Sequence, residues 1–437
     1  MNATHKKIRK ITITTVVILF TAWLVDYIDR FLITIALPSI SDDFGLSAFQ
    51  QGLVLSTFYF SYALMQIPGG FLADKFGAKK IMAIGMVGWS VFTAATGLAF
   101  SYVTLLAARL LFGVAEGIFP AASYKAIAER TTRKKRMTVQ GFTMSSNQLG
   151  GALGTLVGAP IIVWIGWQHT FLAFAVLGVL MSLALVMFLP RKLTAEEASH
   201  GETEGSQEET NDGGVSNHKV EDLGIQVSNR DLLKSWTMWR FFFMFMGYNI
   251  VQLGIVTWMP TYLIKEKHVS LAATGVLSSI PSLIAIFATI LGGWLFDRYF
   301  HRHHRRMIVP LSVITAIFLF FMLSADTVTQ FVVFESLGIF CSTLCFMPIF
   351  GMPMRMLSSA VAGVGNSMVS FGGQVSGIIT PMIIGALVQA FSYEVGFGFL
   401  IFGAALTAVC SLSLPETQQG FQKAISKNIG LKGTKAG

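Results

Sequence analysis

Long runs of apolar residues follow one another along almost the whole chain and are separated by short polar segments. About twelve of these runs approach or exceed the roughly 20 residues that a helix needs to cross a bilayer. Two runs, near residues 152 and 377, are rich in glycine, so their ends are the least well defined. The pattern predicts an all-α integral membrane protein with twelve transmembrane helices. The runs centre near residues 24, 60, 91, 114, 152, 179, 250, 283, 317, 340, 377 and 404.

One long polar segment, about residues 191–236, interrupts the apolar runs and is rich in Glu, Ser, Gly and Asn. Low hydrophobicity combined with high charge favours a mobile linker over a packed domain. We therefore expect three parts: an N-terminal half with six helices (residues 1–190), a cytoplasmic linker (191–236), and a C-terminal half with six helices and a short cytoplasmic tail (237–437).

The composition agrees with a membrane protein, because 53% of the residues are hydrophobic and only 13% are charged, whereas a soluble domain carries about 25% charged residues. The first apolar run is too long for a signal-peptide core and lacks a small-residue cleavage site, so we expect a retained helix. The three cysteines, Cys341, Cys345 and Cys410, lie in apolar runs without metal or redox spacing. We therefore expect no disulfide, no metal site and no cofactor.

Lysine and arginine cluster in alternate loops and at both ends of the chain, whereas the intervening loops are nearly free of them. The positive-inside rule places both termini and the basic loops in the cytoplasm of a cell-membrane protein. An even number of spans agrees with this topology. The net charge of +9 follows from the topology, so we expect no nucleic-acid partner. The basic loops include Lys75, Lys79 and Lys80, Arg133 to Arg136, Arg191 and Lys192, and Arg298, Arg302, Arg305 and Arg306.

The two halves of the chain repeat a short motif. Gly69-Gly70-Phe-Leu-Ala-Asp74-Lys75 follows the second span, and Gly292-Gly293-Trp-Leu-Phe-Asp297-Arg298 follows the eighth, 223 residues later. A repeat of six helices is typical of transporters whose substrate site lies between the halves near the membrane midplane. The sequence therefore predicts two pseudo-symmetric six-helix halves.

Five ionisable residues lie inside the first and fourth predicted spans, where a charge is costly unless it faces a cavity or a partner. Asp26, Asp29 and Arg30 share one face of the first helix. Arg109 and Glu116 lie on one stripe of the fourth helix, about 10 Å apart along its axis. Asp29 and Glu116 are candidate proton-coupling residues, and Arg30 can hold a carboxylate through two parallel bonds. Arg109 either contacts the substrate or orients a carboxylate, and the alternative for Arg109 and Glu116 is a structural ion pair with the first helix or a neighbour.

Two motifs resemble those of the major facilitator superfamily: Gly70-Phe-Leu-Ala-Asp74-Lys75-Phe-Gly77-Ala-Lys79-Lys80 and Arg109-Leu-Leu-Phe-Gly113-Val-Ala-Glu116-Gly117. Within the superfamily, Tyr27-Ile-Asp29-Arg30, Gln66-Ile-Pro68-Gly69-Gly70 and Gly113-Val-Ala-Glu116-Gly117-Ile-Phe-Pro120 resemble the anion:cation symporter family. This resemblance implies the major facilitator fold and transport of organic acids such as hexuronates, aldonates or aldarates, usually together with protons.

The resemblance also implies roles for individual residues. It supports Asp29 and Arg30 as the acid–arginine pair, and Tyr27, Tyr62 and Gln148 as substrate-binding residues. Asn249, Ser370 and Gln374 are further candidates for binding substrate hydroxyls, although polar side chains between membrane helices also bond to one another. For the gate, it implies that Asp74 interacts with the second half in the outward-open state. The predicted cytoplasmic gate contains Asp74, Lys75, Lys79, Asp297 and Arg298.

Three features leave alternatives open. Asp26 departs from the family, which usually has a neutral residue there, so it is either a second proton site or a hydrated group. Glu335 lies near the outer end of the tenth span, so a hydrated or gating role and a cavity role are equally open. The second copy of the gate motif is degenerate at residues 301–304, where we expect a solvated basic loop.

We therefore predict a monomeric proton-coupled symporter that imports a small organic anion by alternating access in the lipid bilayer. An exporter of drugs or metabolites is the main alternative, although Arg30 and Arg109 balance the carboxylates that a cation exporter would use. An enzyme is disfavoured because seven of the eight histidines lie in loops or at the terminus and no nucleophile–base or metal cluster is visible. A sensor is disfavoured because both tails are short.

Overall fold

The structure is a computed structural model of the chain. It describes residues 3–132, 135–194, 196–197, 229–300, 303–357, 362–416, 420–421 and 424, which are mostly helical and contain no strand. Most of the predicted linker, residues 198–228, and the histidine-rich positions 301 and 302 lie outside the described residues.

The apolar runs of the N-terminal half form long helices, because a helix satisfies its backbone hydrogen bonds internally, as a bilayer requires. The longest helix contains a break at Gly166, whose positive φ of 78° turns the chain and separates two membrane crossings. The helices are α1 (Ala3–Phe44), α2 (Ala48–Phe76), α3 (Ala78–Gly97), α4 (Tyr102–Gly117), α5 (Phe119–Arg130), α6 (Arg136–Met144) and α7 (Ser146–Phe188).

The C-terminal half repeats this construction, and a five-residue π-helix, Phe296–Phe300, ends its second long helix. This π-helix contains the Asp297-Arg298 copy of the repeated motif. The helices are α8 (Asn229–Lys234), α9 (Trp236–Lys265), α10 (Leu271–Leu295), α11 (His304–Leu323), α12 (Val328–Leu344), α13 (Phe346–Met356), α14 (Ala362–Ala390) and α15 (Tyr393–Ser413).

The number of membrane crossings follows from these helices. Within the described residues, nine helical segments are long and apolar enough to cross a membrane. One of them, Thr138–Phe188, includes the turn at Gly166 and therefore contributes two crossings. The less apolar helices α2 and α3 complete the set of twelve, so the predicted twelve-helix fold is confirmed.

The fourth and tenth spans are each interrupted by a short break. Helix α4 passes into α5 at Ile118, two residues before Pro120, and α12 passes into α13 at Cys345, three residues before Pro348. Proline removes a backbone donor and so weakens a helix. Interrupted helices at corresponding places in two repeats are a recognised pointer to a transporter's binding region.

The chain forms two compact units. One comprises Met1–Gly45 and Thr57–His218, and the other comprises Leu46–Ser56 and Lys219–Gly437. The division falls within the segment expected to be the linker, and the first residues of α2 are grouped with the second unit.

In the first unit, the glycine-rich part of α7 packs closely on α1. A Cβ at Gly150 would lie 2.5 Å from Tyr27 Cβ, and a Cβ at Gly154 would lie 2.9 Å from the carbonyl oxygen of Ile28. These glycines let α7 approach the part of α1 that carries Asp26, Asp29 and Arg30. The glycine-rich run therefore serves helix packing.

In the second unit, α9 packs against α14 and α15. Gly372 of α14 lies so close to the backbone of Phe242 that no side chain would fit there. The first turns of α2 also belong to this unit, where the Phe49 amide donates a hydrogen bond to Gln389 Oε1 at 3.2 Å.

Candidate functional site

A cluster of five charged residues lies inside the first unit and contains every ionisable residue predicted from the first and fourth spans. Asp26, Asp29, Arg109 and Glu116 are at most 2% exposed, and Arg30 is 8% exposed. We call this group the arginine–carboxylate cluster. If all five groups are ionised, it carries three negative and two positive charges.

Arg30 is held between two carboxylates. Its Nη2 donates to Glu116 Oε1 and, at 3.3 Å, to Asp26 Oδ2 one turn earlier on α1. Its guanidinium also lies 4.5 Å from the ring centre of Tyr27 and 4.8 Å from that of Tyr62. Aromatic faces attract a cation, so Arg30 is fixed by both charge and stacking.

Asp29 does not share the hydrogen-bond partners of Arg30. Its Oδ2 accepts a hydrogen bond of 2.5 Å from the Thr93 hydroxyl on α3. Its Oδ1 has no hydrogen-bond partner among the described residues. Asp29 and Arg30 are neighbours in the sequence but form separate hydrogen bonds, because Arg30 donates to Asp26 and Glu116.

Arg109 is a buried guanidinium with unused donors. Its Nε and Nη1 have no hydrogen-bond partner among the described residues. The guanidinium lies 4.4 Å from the ring centre of Phe112 and 5.4 Å from that of Phe58. A buried charge of this kind is normally paired, so Arg109 is the group of the cluster best able to accept an additional anion.

Two glycines of the fourth-span motif bring α2 against the cluster. A Cβ at Gly113 would lie 2.5 Å from the carbonyl oxygen of Phe58, and a Cβ at Gly117 would lie 2.6 Å from that of Tyr62. Larger residues would push α2 away from α4. The glycines therefore place the aromatic rings of α2 beside the arginines.

The remaining predicted binding residues divide between the units. Tyr27 and Tyr62 are buried against Arg30, and Gln148 is half-buried on α7, two residues before Gly150. In the second unit, Asn249 Nδ2 donates to the Phe245 carbonyl at 2.9 Å.

A Cβ at Gly373 would lie 3.2 Å from Asn249 Nδ2. Asn249 is therefore next to the part of α14 that carries the half-buried Ser370 and Gln374.

Sequence reasoning missed Thr93, Ser342 and Thr343. Gln252 of α9 donates to Thr343 Oγ1 at 3.0 Å and to Ser342 Oγ at 3.4 Å. The only available signal was a hydroxyl in the middle of an apolar span, which is also common in ordinary helix packing.

The predicted gate residues have partners inside their own unit. Asp74 Oδ1 lies 2.7 Å from Lys125 Nζ, a residue that the sequence did not single out. Lys75 Nζ lies 5.3 Å from the ring centre of Phe76, and Lys79 Nζ donates to the Leu189 carbonyl at 3.3 Å.

In the other unit, Asp297 and Arg298 are exposed on the π-helix, and the Arg298 guanidinium lies 5.8 Å from the ring centre of Tyr299. The gate therefore stays a prediction.

The cysteines Cys341, Cys345 and Cys410 are free and buried. Within the described part of the chain, no group of three or more His, Cys, Asp or Glu side chains is arranged to hold a metal ion.

A bundle of twelve membrane helices in two six-helix repeats, with paired charges buried at membrane depth, defines a secondary transporter. The model of the Major Facilitator Superfamily matches residues 19–381, and the chain belongs to this superfamily. The predicted superfamily is confirmed.

Two relatives that match this chain over most of its length carry the names of sugar-acid transporters. The hexuronate transporter of Bacillus subtilis (strain 168) is 28% identical over 403 residues, which cover 90% of this chain and 92% of the relative. The probable galactarate/D-glucarate transporter of Escherichia coli (strain K12) is 27% identical over 420 residues, which cover 90% and 92%. These similarities support the predicted transporter over the enzyme alternative.

Solved structures share the fold. A bacterial homologue of the human lysosomal transporter Spinster, in an inward-facing and unoccupied conformation, has a TM-score of 0.72 at 17% identity, covering 96% of this chain and 94% of the other. The D-xylose-proton symporter also has a TM-score of 0.72, at 15% identity, covering 93% and 99%.

Proposed function

We propose that the protein is a proton-coupled symporter that imports a small organic anion, a hexuronate, aldonate or aldarate, across the cell membrane. One observation carries the proposal: three carboxylates and two guanidinium groups are buried together inside one six-helix unit. Such groups at membrane depth are expensive and are retained for ion or substrate pathways. The names of the relatives support sugar acids as the substrate class.

The charge balance of the arginine–carboxylate cluster supports coupling to protons. Fully ionised, the cluster has one excess negative charge, and a bound monoanion would raise the excess to two. A buried excess of this size is unfavourable. Uptake of protons on Asp29 and Glu116 restores neutrality, so anion and proton binding favour one another, and this coupling is reciprocal.

The contacts of Arg30 suggest how a substrate carboxylate replaces Glu116 as the partner of this arginine. Glu116 and Asp26 occupy its donors in this conformation. A proton on Glu116 removes the negative charge that holds Arg30, which then becomes available to a substrate carboxylate. Arg109, whose Nε and Nη1 have no hydrogen-bond partner among the described residues, is the first anchor, and Arg30 is the second.

Other parts of the proposal rest on the sequence. The hydroxyls of a sugar acid are assigned to Tyr27, Tyr62, Gln148, Asn249, Ser370 and Gln374. The gate is assigned to Asp74, Lys75, Lys79, Asp297 and Arg298. Both termini are assigned to the cytoplasm by the positive-inside rule, and an inward proton gains about 2.3 kcal/mol per 100 mV.

Uptake by proteoliposomes tests the proposal. Labelled glucuronate, galactonate and galactarate should accumulate only under an inward proton gradient. Asp29→Asn or Glu116→Gln should abolish this accumulation, while counterflow exchange should survive in at least one of them. Glu266→Gln, which changes an exposed glutamate at the end of α9, is the matched control. Full accumulation in both cluster variants, or none of the three acids transported by the wild type, would contradict the proposal.

A further inference from the structure

A carboxyl group lies buried in the second unit, apart from the arginine–carboxylate cluster. Glu335 is seven residues inside α12, about 10 Å along the helix from Val328, and it is 0% exposed. Neither of its carboxyl oxygens has a hydrogen-bond partner among the described residues. The hydrated role that the sequence left open does not fit this burial.

The helices around Glu335 offer no nearby cation among their described side chains. Helix α12 packs against α9, α10, α11 and α13. The cations of α9 and α11 lie at the helix ends, α10 has no charged residue, and Arg355, the only cation in the sequence of α13, has a side chain outside the described part of the chain. Tyr262 of α9 packs near this part of α12, since its ring centre lies 4.6 Å from that of Phe331, one turn before Glu335. The end cations are Arg240 and Lys265 on α9 and His304, Arg305 and Arg306 on α11.

An ionised carboxylate without a cation or a hydrogen bond is strongly disfavoured in such surroundings. From the described contacts we therefore expect Glu335 to hold a proton in this conformation. Ser336 Oγ, beside it, also has no hydrogen-bond partner among the described residues.

Two hydroxyl groups, those of Thr315 and Ser342, lie along the face of α12 that carries Glu335. Gly338 and Ser342 follow it at three and seven residues, which is helical spacing. The Thr315 hydroxyl lies 3.5 Å from the Gly338 carbonyl, and Ser342 accepts a bond from Gln252.

Thr315 and Ser342 also line a cavity of about 10 Å³. This is close to the smallest volume that holds one water molecule. The cavity has three further hydroxyls in its lining, those of Tyr248, Ser312 and Thr407.

We propose that Glu335 is a second proton-binding site, which takes up and releases one transported proton in each cycle through this hydroxyl-lined route. The inference rests on the proposed symport. The proton adds to the carboxylate to form the neutral carboxyl, and on release it passes to water, so no other reactant is needed.

The proton-to-substrate ratio tests the inference. It is measured in proteoliposomes, from the membrane potential at which a fixed substrate gradient produces no net flux. Glu335→Gln keeps the approximate shape and the neutrality of the protonated acid but cannot exchange a proton. The proton-to-substrate ratio of this variant should be lower by one. At a membrane potential of about 100 mV, this loss lowers the maximum substrate accumulation about 50-fold. Ser336→Ala, which removes only the neighbouring hydroxyl, should keep the wild-type ratio.

The outcomes separate the two proposals. Wild-type transport without any proton coupling would overturn the symport itself. A coupled wild type with an unchanged ratio in Glu335→Gln would overturn only the role of Glu335.

A second variant covers a failure of Glu335→Gln to fold. Glu335→Asp should keep the wild-type proton-to-substrate ratio. The infrared carbonyl band of the protonated side chain at position 335 should shift relative to the wild type. Identical bands in the two proteins would show that Glu335 is not protonated and would also overturn the inference.

Discussion

Arg30 illustrates how single residues define the chemistry of this transporter. One guanidinium faces two carboxylates, those of Asp26 and Glu116, and two tyrosine rings. The Arg30 side chain is therefore both a structural partner and a candidate anchor, and in the proposed mechanism the protonation of its neighbours decides which role it plays. Asp26, whose role the sequence left open, is buried and belongs to this ion-pair network.

Replacing Arg30 by lysine tests the anchor. Arg30→Lys keeps the positive charge but loses the planar fork that holds a carboxylate with two bonds. A hydrogen bond to a charged group is worth roughly 1.5–3 kcal/mol, so we expect substrate affinity to fall roughly 10- to 150-fold. The measurement is a binding titration with purified protein, and Arg136→Lys, at an exposed position on α6, is the control. Unchanged affinity, or equal binding of the acid and its uncharged alcohol analogue to the wild type, would show that Arg30 is only structural.

The sequence predicted which residues are charged at membrane depth, but not which of them pair. The periodicity of α1 placed Asp26, Asp29 and Arg30 on one face, since that depends only on helix geometry. Thr93 lies 64 residues after its partner Asp29 in the chain, and Glu116 lies 86 residues after its partner Arg30. Such pairs depend on how three helices pack and which rotamers fit, and no local pattern encodes either property.

At the scale of helices and segments, the start of the linker shows a defined ion pair. Arg191 donates through Nη1 and Nη2 to the Glu197 carboxylate, at 2.8 and 2.5 Å. The Thr194 amide adds a bond of 3.0 Å to Glu197 Oε2. This short segment outside the membrane spans is therefore held by one carboxylate.

The pH dependence of this segment follows from that carboxylate. The Arg191 hydrogen bond, then the Thr194 amide, lower the pKa of Glu197 from 4.5 to about 2. Because the folded pKa is depressed, the stabilisation is complete above about pH 4.5 and is lost as the pH falls towards 2. Carboxyl chemical shifts of the labelled protein, followed by NMR during an acid titration, measure the midpoint. Arg191→Gln should raise it towards 4.5, and a midpoint near 4.5 in the wild type would refute the ion pair.

Close packing of α7 on α1 gives a prediction for stability. A Cβ at Gly150 would lie 2.5 Å from Tyr27 Cβ, so Gly150→Ala forces the two helices apart. Overpacking of this kind typically costs about 1–3 kcal/mol. We expect a lower unfolding temperature in detergent, measured by tryptophan fluorescence. Gly141→Ala is the matched control because a Cβ there meets no atom within 4 Å, and equal destabilisation by both variants would contradict the packing argument.

The spans were predictable from hydrophobicity alone, whereas their interruptions were not. The breaks at Ile118 and Cys345 lie inside the single runs predicted for the fourth and tenth spans, whereas the turn at Gly166 falls between the runs predicted near residues 152 and 179. A glycine or proline in such a run is compatible with a straight helix, a kink or a turn. The choice depends on the neighbouring helices.

At the scale of the whole molecule, the repeated Gly-Gly-x-x-x-Asp-Lys/Arg motif argues for two equivalent six-helix halves. The sequence predicted the twelve spans and the superfamily, because repeats and bilayer-length runs are visible without knowledge of contacts. It did not predict that Asp74 bonds to Lys125 within the same unit. The gate proposal therefore needs an experiment that separates this local ion pair from a link between the halves.

Two substitutions make that separation. Asp74→Asn removes the carboxylate from both the local pair and any link between the halves, whereas Lys125→Gln removes only the local pair. If Asp74 joins the halves when the cavity opens outward, Asp74→Asn alone should slow transport and shift the population towards inward-open, with substrate affinity largely intact. The shift is read from cysteine accessibility on the two membrane sides, in a background lacking Cys341, Cys345 and Cys410. The same accessibility change in both variants would reduce Asp74 to a partner of Lys125. If neither variant changes the cysteine accessibility and both transport normally, Asp74 is only a solvated loop charge. That outcome would agree with its exposure, because a carboxylate that is 76% exposed contributes little through a surface ion pair.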